Sequence, residues 1–186
     1  MVAQTAKHFG RIDILANVAG GSYSRNPYTG EFKRHPLLEV SEEDFMGAFE
    51  VNVKGTMLCA QAVVPHMRKV GKGAIINIGS SSGLDTKPAG AIYAAYGSAK
   101  AAVHRLTVYM AYEWAPQVRV NCIAPGLIDT PRPAGESRPN MVDGASRLPV
   151  GRVGGPDDIA SLAVFLASDA SSFITGDLIP ATGGDR

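Results

Sequence analysis

The stretch Ala74-Ile75-Ile76-Asn77-Ile78-Gly79 has the apolar, β-branched composition of a buried strand and runs directly into Ser80-Ser81-Ser82-Gly83. Two further short apolar runs, 12–17 and 118–123, have the same character, and each is followed by a glycine-containing turn. Helical patterns separate the three runs. Strands that alternate with helices in this way predict parallel strands joined by crossover helices. We therefore expect an α/β fold with a parallel sheet flanked by helices.

Helix-capping patterns and the positions of prolines predict the remaining helices, the irregular segment and the last strand. Ser41 precedes three acidic residues, a pattern typical of a helix amino terminus, and long helices are predicted over 42–69 and 93–114. The interval 127–150 contains four prolines, so we expect it to be irregular. A last short strand is predicted near 177–181 and contains Pro180. Because proline cannot donate a ladder hydrogen bond, this strand should lie at an edge of the sheet.

Length and composition limit the class of protein. The 186 residues suffice for one domain with a sizeable core, and 45% apolar with 19% charged residues excludes general disorder. The net charge of +1 gives no broad attraction for nucleic acid or anionic membrane, so we expect neither as a partner. The first residues do not form a secretory signal, and no apolar run approaches the ~20 residues of a membrane span. This pattern predicts a cytoplasmic protein.

Metal and disulfide chemistry is not indicated. Cys59 and Cys122 lie at no metal-ligand spacing, and we interpret both as small buried hydrophobes. No metal site is predicted. The histidines share no spacing either and are interpreted as surface or packing residues; they are His8, His35, His66 and His104.

Polar residues collect where the predicted strands end. Because the carboxyl ends of parallel strands meet at one edge of the sheet and ligands bind there, 17–20, 80–82 and 125–130 should lie along that edge. Tyr96 and Lys100 follow, and their spacing of four residues places both on one face of a helix. An ammonium near a phenol lowers the phenol's pKa. This pair therefore indicates general acid–base chemistry on a carbonyl or an alcohol.

These motifs together resemble the short-chain dehydrogenase/reductase family over nearly the whole chain. The matching residues are Asn17-Val18-Ala19-Gly20 for its NNAG turn, Asn52 for its helical asparagine, Ser80 for its serine, Tyr96 and Lys100 for its YxxxK, and Pro125-Gly126 with Thr130 for its PG motif. The resemblance implies a partial Rossmann-type, doubly wound parallel sheet in a single domain over 1–186. It also implies an oxidoreductase that uses NAD or NADP to interconvert a small-molecule carbonyl and alcohol, similar to a 3-oxoacyl-carrier-protein reductase.

The resemblance further implies a role for each residue. Tyr96 would exchange a proton with the substrate oxygen, which Ser80 would orient. Lys100 would lower the pKa of Tyr96 and hold the nicotinamide ribose, and Asn52 would position a water that relays protons from Lys100 to solvent. The implied cofactor contacts are Asn17 and Gly20 in the cleft, Pro125 and Gly126 in the PG turn, the Ile128 backbone and the Thr130 hydroxyl.

The serine assignment has competitors within the same turn. Ser81 and Ser82 directly follow Ser80. We prefer Ser80 because Gly83 matches the glycine that follows the family's serine by three residues.

Three other assignments also have alternatives. Tyr93 competes with Tyr96, but the residue four positions after Tyr93 is a glycine, which carries no charge. Asn52 is also suited to capping backbone exposed at a Gly55 kink. Thr130 is equally compatible with a plain turn hydroxyl before a proline.

The chain departs from the family at its start. No glycine-rich turn precedes Ile12, whereas the family's phosphate-binding loop and the residue that selects NAD or NADP belong to the first two strands. At ~30 residues per strand–helix–strand unit, about 60 residues are expected to be missing. The chain is therefore expected to be truncated at its amino terminus, with the strand at 12–17 as an exposed edge.

Three functions are compatible with these features. The preferred one is the NAD(P)-dependent oxidoreductase; the alternatives are an inactive truncated relative that acts through subunit association, and an isomerase or dehydratase on the same scaffold. The family pairs subunits through the helices that correspond to 42–69 and 93–114, so we expect a homodimer or homotetramer. The apolar residues predicted for that seam are Val63, Val103, Leu106 and Met110.

Overall fold

Strands and helices alternate along the chain in the computed structural model, which describes residues 1–21, 36–84, 94–130 and 140–185. In order they are α1 (Val2–Phe9), β1 (Ile14–Asn17), α2 (Glu42–Phe49), α3 (Gly55–Val70), β2 (Gly73–Ile78), α4 (Ala94–Trp114), β3 (Val118–Pro125), α5 (Asn140–Arg147), α6 (Pro156–Ala167) and β4 (Leu178–Ala181). A π-helical turn, Glu50–Lys54, joins α2 to α3.

The four strands form one parallel sheet in the order β1-β2-β3-β4. This confirms the predicted α/β fold, a partial Rossmann-type parallel sheet flanked by helices. β4, which contains Pro180, lies at one edge as predicted, and β1 lies at the other with Ile14 exposed. Asn17 at the end of β1 is in register with Asn77 of β2, so the carboxyl ends of both strands lie at the same edge.

Both faces of the sheet are covered, as the alternation along β2 requires. Ile75 points to one face, where it packs in a cluster with residues of α3 and α4 such as Val63 and Met110. Ala74 and Ile76 point to the other face, where Leu166 of α6 completes a second cluster. Burial on both faces explains why the strands are continuous apolar runs.

A small third cluster fixes α2 against α4. The amino terminus of α2 is capped as predicted, because the Ser41 side chain accepts a hydrogen bond from the Asp44 backbone N–H at 3.1 Å. The rings of Phe45 and Phe49, with centroids 5.1 Å apart, pack beside Ala99 of α4. This contact holds the π-helical turn and α4 close to each other at the carboxyl edge of the sheet.

The prediction that 127–150 is irregular is wrong in part. Residues 140–147 form α5, a helix of two turns. It begins directly after Pro139 and ends two residues before Pro149, so these prolines flank the helix and remove no hydrogen bond from its interior.

The four apolar residues predicted for the subunit seam lie in or against the core of this chain. Val63, Val103 and Met110 are only 2%, 1% and 4% exposed, and Leu106 packs against the same core cluster as Val63 and Met110. Val63, Val103 and Met110 therefore stabilise the interior of this chain, and Leu106 is partly buried beside them. Their helical spacing is the same for a core-facing and a partner-facing stripe, so the sequence pattern could not separate the two.

Neither cysteine is in a disulfide. Cys122 is buried, as predicted, whereas Cys59 is only partly buried. Among the described residues, no group of histidine, cysteine or acidic side chains is arranged to hold a metal ion. No helix in the described ranges is both long and apolar enough to cross a membrane.

Candidate active site at the carboxyl edge of the sheet

Three of the predicted site residues meet at the carboxyl edge of the sheet. Ser80 follows β2, and Tyr96 and Lys100 lie one turn apart on α4. The Ser80 hydroxyl hydrogen-bonds the Tyr96 phenol, and the Lys100 ammonium lies 5.7 Å from the centroid of the Tyr96 ring. A hydroxyl, a phenol and an ammonium therefore share one small region, which can orient an oxygen atom and exchange a proton with it.

Ser80 is fixed by hydrogen bonds within its own turn. The 3-10 turn Ser81–Gly83 begins at Ser80, whose Oγ accepts from the Ser82 backbone N–H at 3.1 Å. The Ser80 carbonyl accepts from the Gly83 N–H at 3.0 Å. A hydroxyl that accepts from Ser82 can still donate its own proton. The hydrogen bond to Tyr96 comes from Ser80, and Ser82 contributes its backbone N–H.

Lys100 is a buried cation, only 4% exposed. Its Nζ donates to the carbonyl of Ile78 at 2.8 Å, at the last residue of β2. The glycine turn after β1 approaches it closely, because a Cβ on Gly20 would lie 3.3 Å from Nζ and 2.6 Å from Asn52 Oδ1. Burial lowers the pKa of Lys100. The lysine thus links α4 to the ends of both β1 and β2.

The pKa of Tyr96 differs from expectation. Burial raises it, and the hydrogen bond from Ser80 lowers it by less than burial raises it. Burial and the Ser80 hydroxyl set the direction of this pKa, and the effect that the family resemblance implies for Lys100 stays a prediction. Burial disfavours both charged forms, the phenolate and the ammonium.

Asn52 connects the π-helical turn to the turn after β1. Its amide donates to the carbonyls of Gly21 and Ala48, each at 2.8 Å, and accepts from the Gly21 N–H at 3.1 Å. The Asn52 carbonyl accepts from the Thr56 hydroxyl at 2.7 Å. The asparagine therefore caps backbone as its alternative interpretation expected, but it does so at Gly21 and not at Gly55. π-Helical turns occur often at functional sites.

Asn17 lies beneath the edge rather than in an open cleft. Its buried amide donates to Asn77 Oδ1 at 2.8 Å and to the Thr56 carbonyl at 3.4 Å. Asn77 in turn donates to the Thr107 hydroxyl at 2.9 Å. This chain of side chains joins β1, β2 and α4. The sequence analysis missed Asn77 and Thr107, although a polar side chain inside a buried strand needs a partner and could have indicated them.

Residues 125–130, here called the PG segment, form a separate part of the carboxyl edge of the sheet. Pro125 is the last residue of β3, and the Gly126 N–H donates to the Ala181 carbonyl at 3.0 Å. Ile128 forms an isolated parallel bridge with Gly154, and Thr130 is exposed. A cavity of about 190 Å³ lies beside this segment. Its lining includes Ile128, Leu148, Val150, Gly154 and Thr182 but none of Ser80, Tyr96 and Lys100.

One residue near the site carried no signal in the sequence analysis. His104 is buried on α4, and its Nε2 accepts a hydrogen bond from the Ser80 backbone N–H at 3.3 Å. Its burial agrees with the packing role predicted for it, and the hydrogen bond to Ser80 is an addition to that role. Tyr93, the competitor of Tyr96, lies outside the described residues.

The chain is similar to known dehydrogenases and reductases over almost its whole length. A family model described as enoyl-(acyl carrier protein) reductase matches residues 1–185. The (2S)-[(R)-hydroxy(phenyl)methyl]succinyl-CoA dehydrogenase subunit BbsD of Thauera aromatica is 42% identical over 185 residues, which are 99% of this chain and 69% of the relative. The 3-oxoacyl-[acyl-carrier-protein] reductase FabG of Thermotoga maritima is 37% identical over 99% of this chain and 70% of the relative.

A solved structure has the same fold. The 7α-hydroxysteroid dehydrogenase complexed with NADH and 7-oxo glycochenodeoxycholic acid superposes with a TM-score of 0.83 at 32% identity. The match covers 98% of this chain and 67% of that one. The chain belongs to the short-chain dehydrogenase/reductase family of oxidoreductases.

Proposed function

We propose that this chain carries the catalytic residues of an NAD- or NADP-dependent oxidoreductase that interconverts a carbonyl and an alcohol. The observation that carries the proposal is the meeting of Ser80, Tyr96 and Lys100 at the carboxyl edge of the sheet. Ligands of open parallel sheets bind at that edge. In this proposal the three residues take part in the reaction and do not serve only to stabilise the fold.

The chain's own residues manage the proton. In reduction, the Tyr96 phenol donates its proton to the substrate oxygen; in oxidation, the phenolate removes the alcohol proton. The Ser80 hydroxyl holds the same substrate oxygen beside the phenol, and its existing hydrogen bond to Tyr96 supports this placement. The neutral phenol favoured by burial suits the donor role in reduction.

The residues around Lys100 fit the nicotinamide side of the cofactor. An ammonium has three donors, and one of them is directed to the Ile78 carbonyl. A glycine at position 20 leaves space next to Nζ that a Cβ would fill, so ribose hydroxyls are suitable acceptors there. The nicotinamide, when bound, supplies or accepts the hydride. Ile128 and Thr130 are the proposed contacts for its carboxamide.

Asn52 is proposed to support the proton path from Lys100. Its side chain holds Gly21 through two hydrogen bonds and lies against the glycine turn that approaches Nζ. A water near this turn would have backbone groups as partners. Asn17 is proposed to act on the same turn indirectly, because its buried amide anchors the end of β1.

The substrate class is proposed from the relatives. Their names include a CoA-thioester dehydrogenase and a 3-oxoacyl-carrier-protein reductase, and the solved relative holds a 7-oxo bile acid. We therefore propose ketones of small organic molecules, with a 3-oxoacyl thioester as the first candidate. None of the residues that the structure describes distinguishes NAD from NADP.

Subunit association is proposed through outward faces of the same helices. Leu58 on α3 is 51% exposed and Tyr112 on α4 is 90% exposed, whereas the buried sides of both helices face the core. We propose that these exposed apolar residues lie in a homodimer or homotetramer interface.

The test measures reduction of acetoacetyl-CoA and of 7-oxo glycochenodeoxycholic acid with NADH and NADPH. It uses the chain itself and the chain extended at its amino terminus by a glycine-rich strand–helix unit. Tyr96→Phe should lower kcat by at least about 100-fold, the usual contribution of a positioned proton donor, with cofactor binding retained. Tyr109→Phe, on the exposed part of the same helix, is the matched control and should leave kcat unchanged.

Near-normal turnover in Tyr96→Phe would overturn the proposal and move attention to Tyr93. If the extended protein binds cofactor but reduces neither ketone, the association role becomes the better interpretation.

A further inference from the structure

We propose that His104 is a positioning residue. Its imidazole holds the turn at residues 80–83, here called the serine turn, so that the Ser80 hydroxyl faces Tyr96. The inference rests on the proposed function, because it concerns how the same site is aligned. His104 has no assigned part in the proton transfer itself.

The helix geometry brings His104 to the right place. It lies four residues after Lys100 and eight after Tyr96 on α4, so all three side chains share one face of the helix. Tyr96 and Lys100 reach the phenol and ammonium positions of the site, and His104 lies under the turn that begins at Ser80. Its side chain is buried.

The serine turn closes around the imidazole. A Cβ on Gly79 would collide with Nε2 and Cδ2 of His104, and a Cβ on Gly83 would lie 2.8 Å from Cε1. The two glycines that flank the serines therefore allow the backbone to approach the ring closely from both ends of the turn. If His104 only filled space, an apolar side chain of the same size would serve as well as an imidazole with a hydrogen-bond acceptor.

The hydrogen bond between the Ser80 N–H and His104 Nε2 fixes the orientation of the serine turn against the ring. Nε2 accepts from the Ser80 N–H at 3.3 Å, and this hydrogen bond requires a neutral ring with its proton on Nδ1. With its carbonyl held by Gly83 and its Oγ by Ser82, Ser80 has three fixed contacts. These contacts leave the hydroxyl proton to be donated toward Tyr96.

The experiment compares His104→Gln with His104→Leu in the full chain labelled with [13Cζ]tyrosine. A glutamine Oε1 can reach the Nε2 position and accept from Ser80, whereas leucine fills similar space without an acceptor. At pH 7.5 the Tyr96 13Cζ chemical shift, assigned with Tyr96→Phe, reports the hydrogen bond at the phenol. Ser80→Ala gives the shift of the phenol without that bond.

We expect His104→Leu to move the Tyr96 shift toward the Ser80→Ala value and His104→Gln to keep it near the wild-type value. A folded His104→Leu protein with the wild-type shift would overturn the proposal. If His104→Leu does not fold, 15N spectra of the histidine ring in the wild-type chain decide. A protonated Nδ1 with Nε2 as acceptor supports the inference, and a protonated Nε2 contradicts it.

These measurements need neither cofactor nor turnover. A failure of the proposed function would appear as activity in Tyr96→Phe, whereas a failure of the His104 inference would appear as an unchanged Tyr96 shift. The two failures are therefore distinguishable.

Discussion

The Lys100 ammonium lies 5.7 Å from the centroid of the Tyr96 ring and donates to the last carbonyl of β2 at 2.8 Å. The lysine therefore fixes the position of α4 relative to the sheet edge. In this geometry, the group that lowers the pKa of Tyr96 is the Ser80 hydroxyl, and burial opposes it. Ser80 thus acts on the phenol in the free protein, and in the proposed reaction its one hydroxyl proton turns to the substrate oxygen.

Replacing Ser80 should change the pH dependence of the reaction. In Ser80→Ala the hydrogen bond that lowers the pKa of Tyr96 is lost, so that pKa rises further above its ordinary value. Alcohol oxidation requires the phenolate, and its rate increases with pH until the phenol has ionised. We therefore expect the acid limb of kcat/KM for oxidation, which reports the groups of the free protein, to move to higher pH, with reduced activity near neutrality.

The measurement is a pH–rate profile for oxidation of the alcohol product of whichever ketone the protein reduces. Ser98→Ala is the control, because Ser98 is an exposed residue between Tyr96 and Lys100 on α4. A Ser80→Ala profile with an unmoved acid limb would contradict the assignment.

The buried Asn17–Asn77–Thr107 chain should contribute to stability. Asn77→Ala removes the acceptor for Asn17 at 2.8 Å and the donor to Thr107 at 2.9 Å, and so leaves two buried polar groups without this partner. We expect the free energy of unfolding to fall by about 1–3 kcal/mol. Urea denaturation followed by circular dichroism checks this value.

Thr5→Ala is the matched control for Asn77→Ala. Thr5 donates to the Met1 carbonyl in an exposed position, so its loss should change the free energy of unfolding by less than about 0.5 kcal/mol. Equal effects of the two substitutions would show that the buried chain contributes no more than an exposed hydrogen bond.

Much of the fold was predictable because its signals are local. Apolar runs predicted β2 and β3, Ser41 predicted the start of α2, and Pro180 predicted an edge strand. Helix α5 was not predicted because the four prolines of 127–150 indicate an irregular segment, whereas none of them lies within 140–147. Prolines at the two ends of a segment leave its interior free to be helical.

Part of the site was also predictable from local signals in the sequence. The spacing of Tyr96 and Lys100 is a local signal, and it brought both residues to one face of α4. The roles of His104 and Asn77 depend on contacts with residues distant in sequence, at 24 and 30 or more positions. The sign of the pKa change at Tyr96 depends on burial, which spacing does not report.

The oligomeric state should depend on the exposed faces of α3 and α4. We expect the chain to sediment as a dimer or tetramer at micromolar concentration. Leu58→Lys with Tyr112→Lys should shift it toward the monomer, because charged side chains are depleted from interface cores. Lys substitution at Thr5, which lies on exposed α1, is the control. Monomeric wild-type protein at that concentration would refute the interface, and large irregular species would indicate pairing through β1.

Cofactor affinity is the remaining prediction. Within residues 1–186 no glycine-rich turn precedes Ile12, so this chain offers neither that loop's backbone amides nor its helix amino terminus to the pyrophosphate. Proposed contacts remain only on the nicotinamide side, from Lys100, Tyr96, Ile128 and Thr130. We expect a Kd for NADH and NADPH no tighter than about 1 mM, which corresponds to about 4 kcal/mol.

Titration of NADH and NADPH fluorescence with the chain tests this value. Lys100→Met should weaken the residual binding further, because it removes the ammonium beside Gly20 without removing the length of the side chain. Extension by a glycine-rich strand–helix unit should tighten Kd by several orders of magnitude if the Lys100 edge is the nicotinamide half of the site. A low-micromolar Kd for the unextended chain would instead mean that residues 1–186 hold the pyrophosphate by contacts other than a glycine-rich loop.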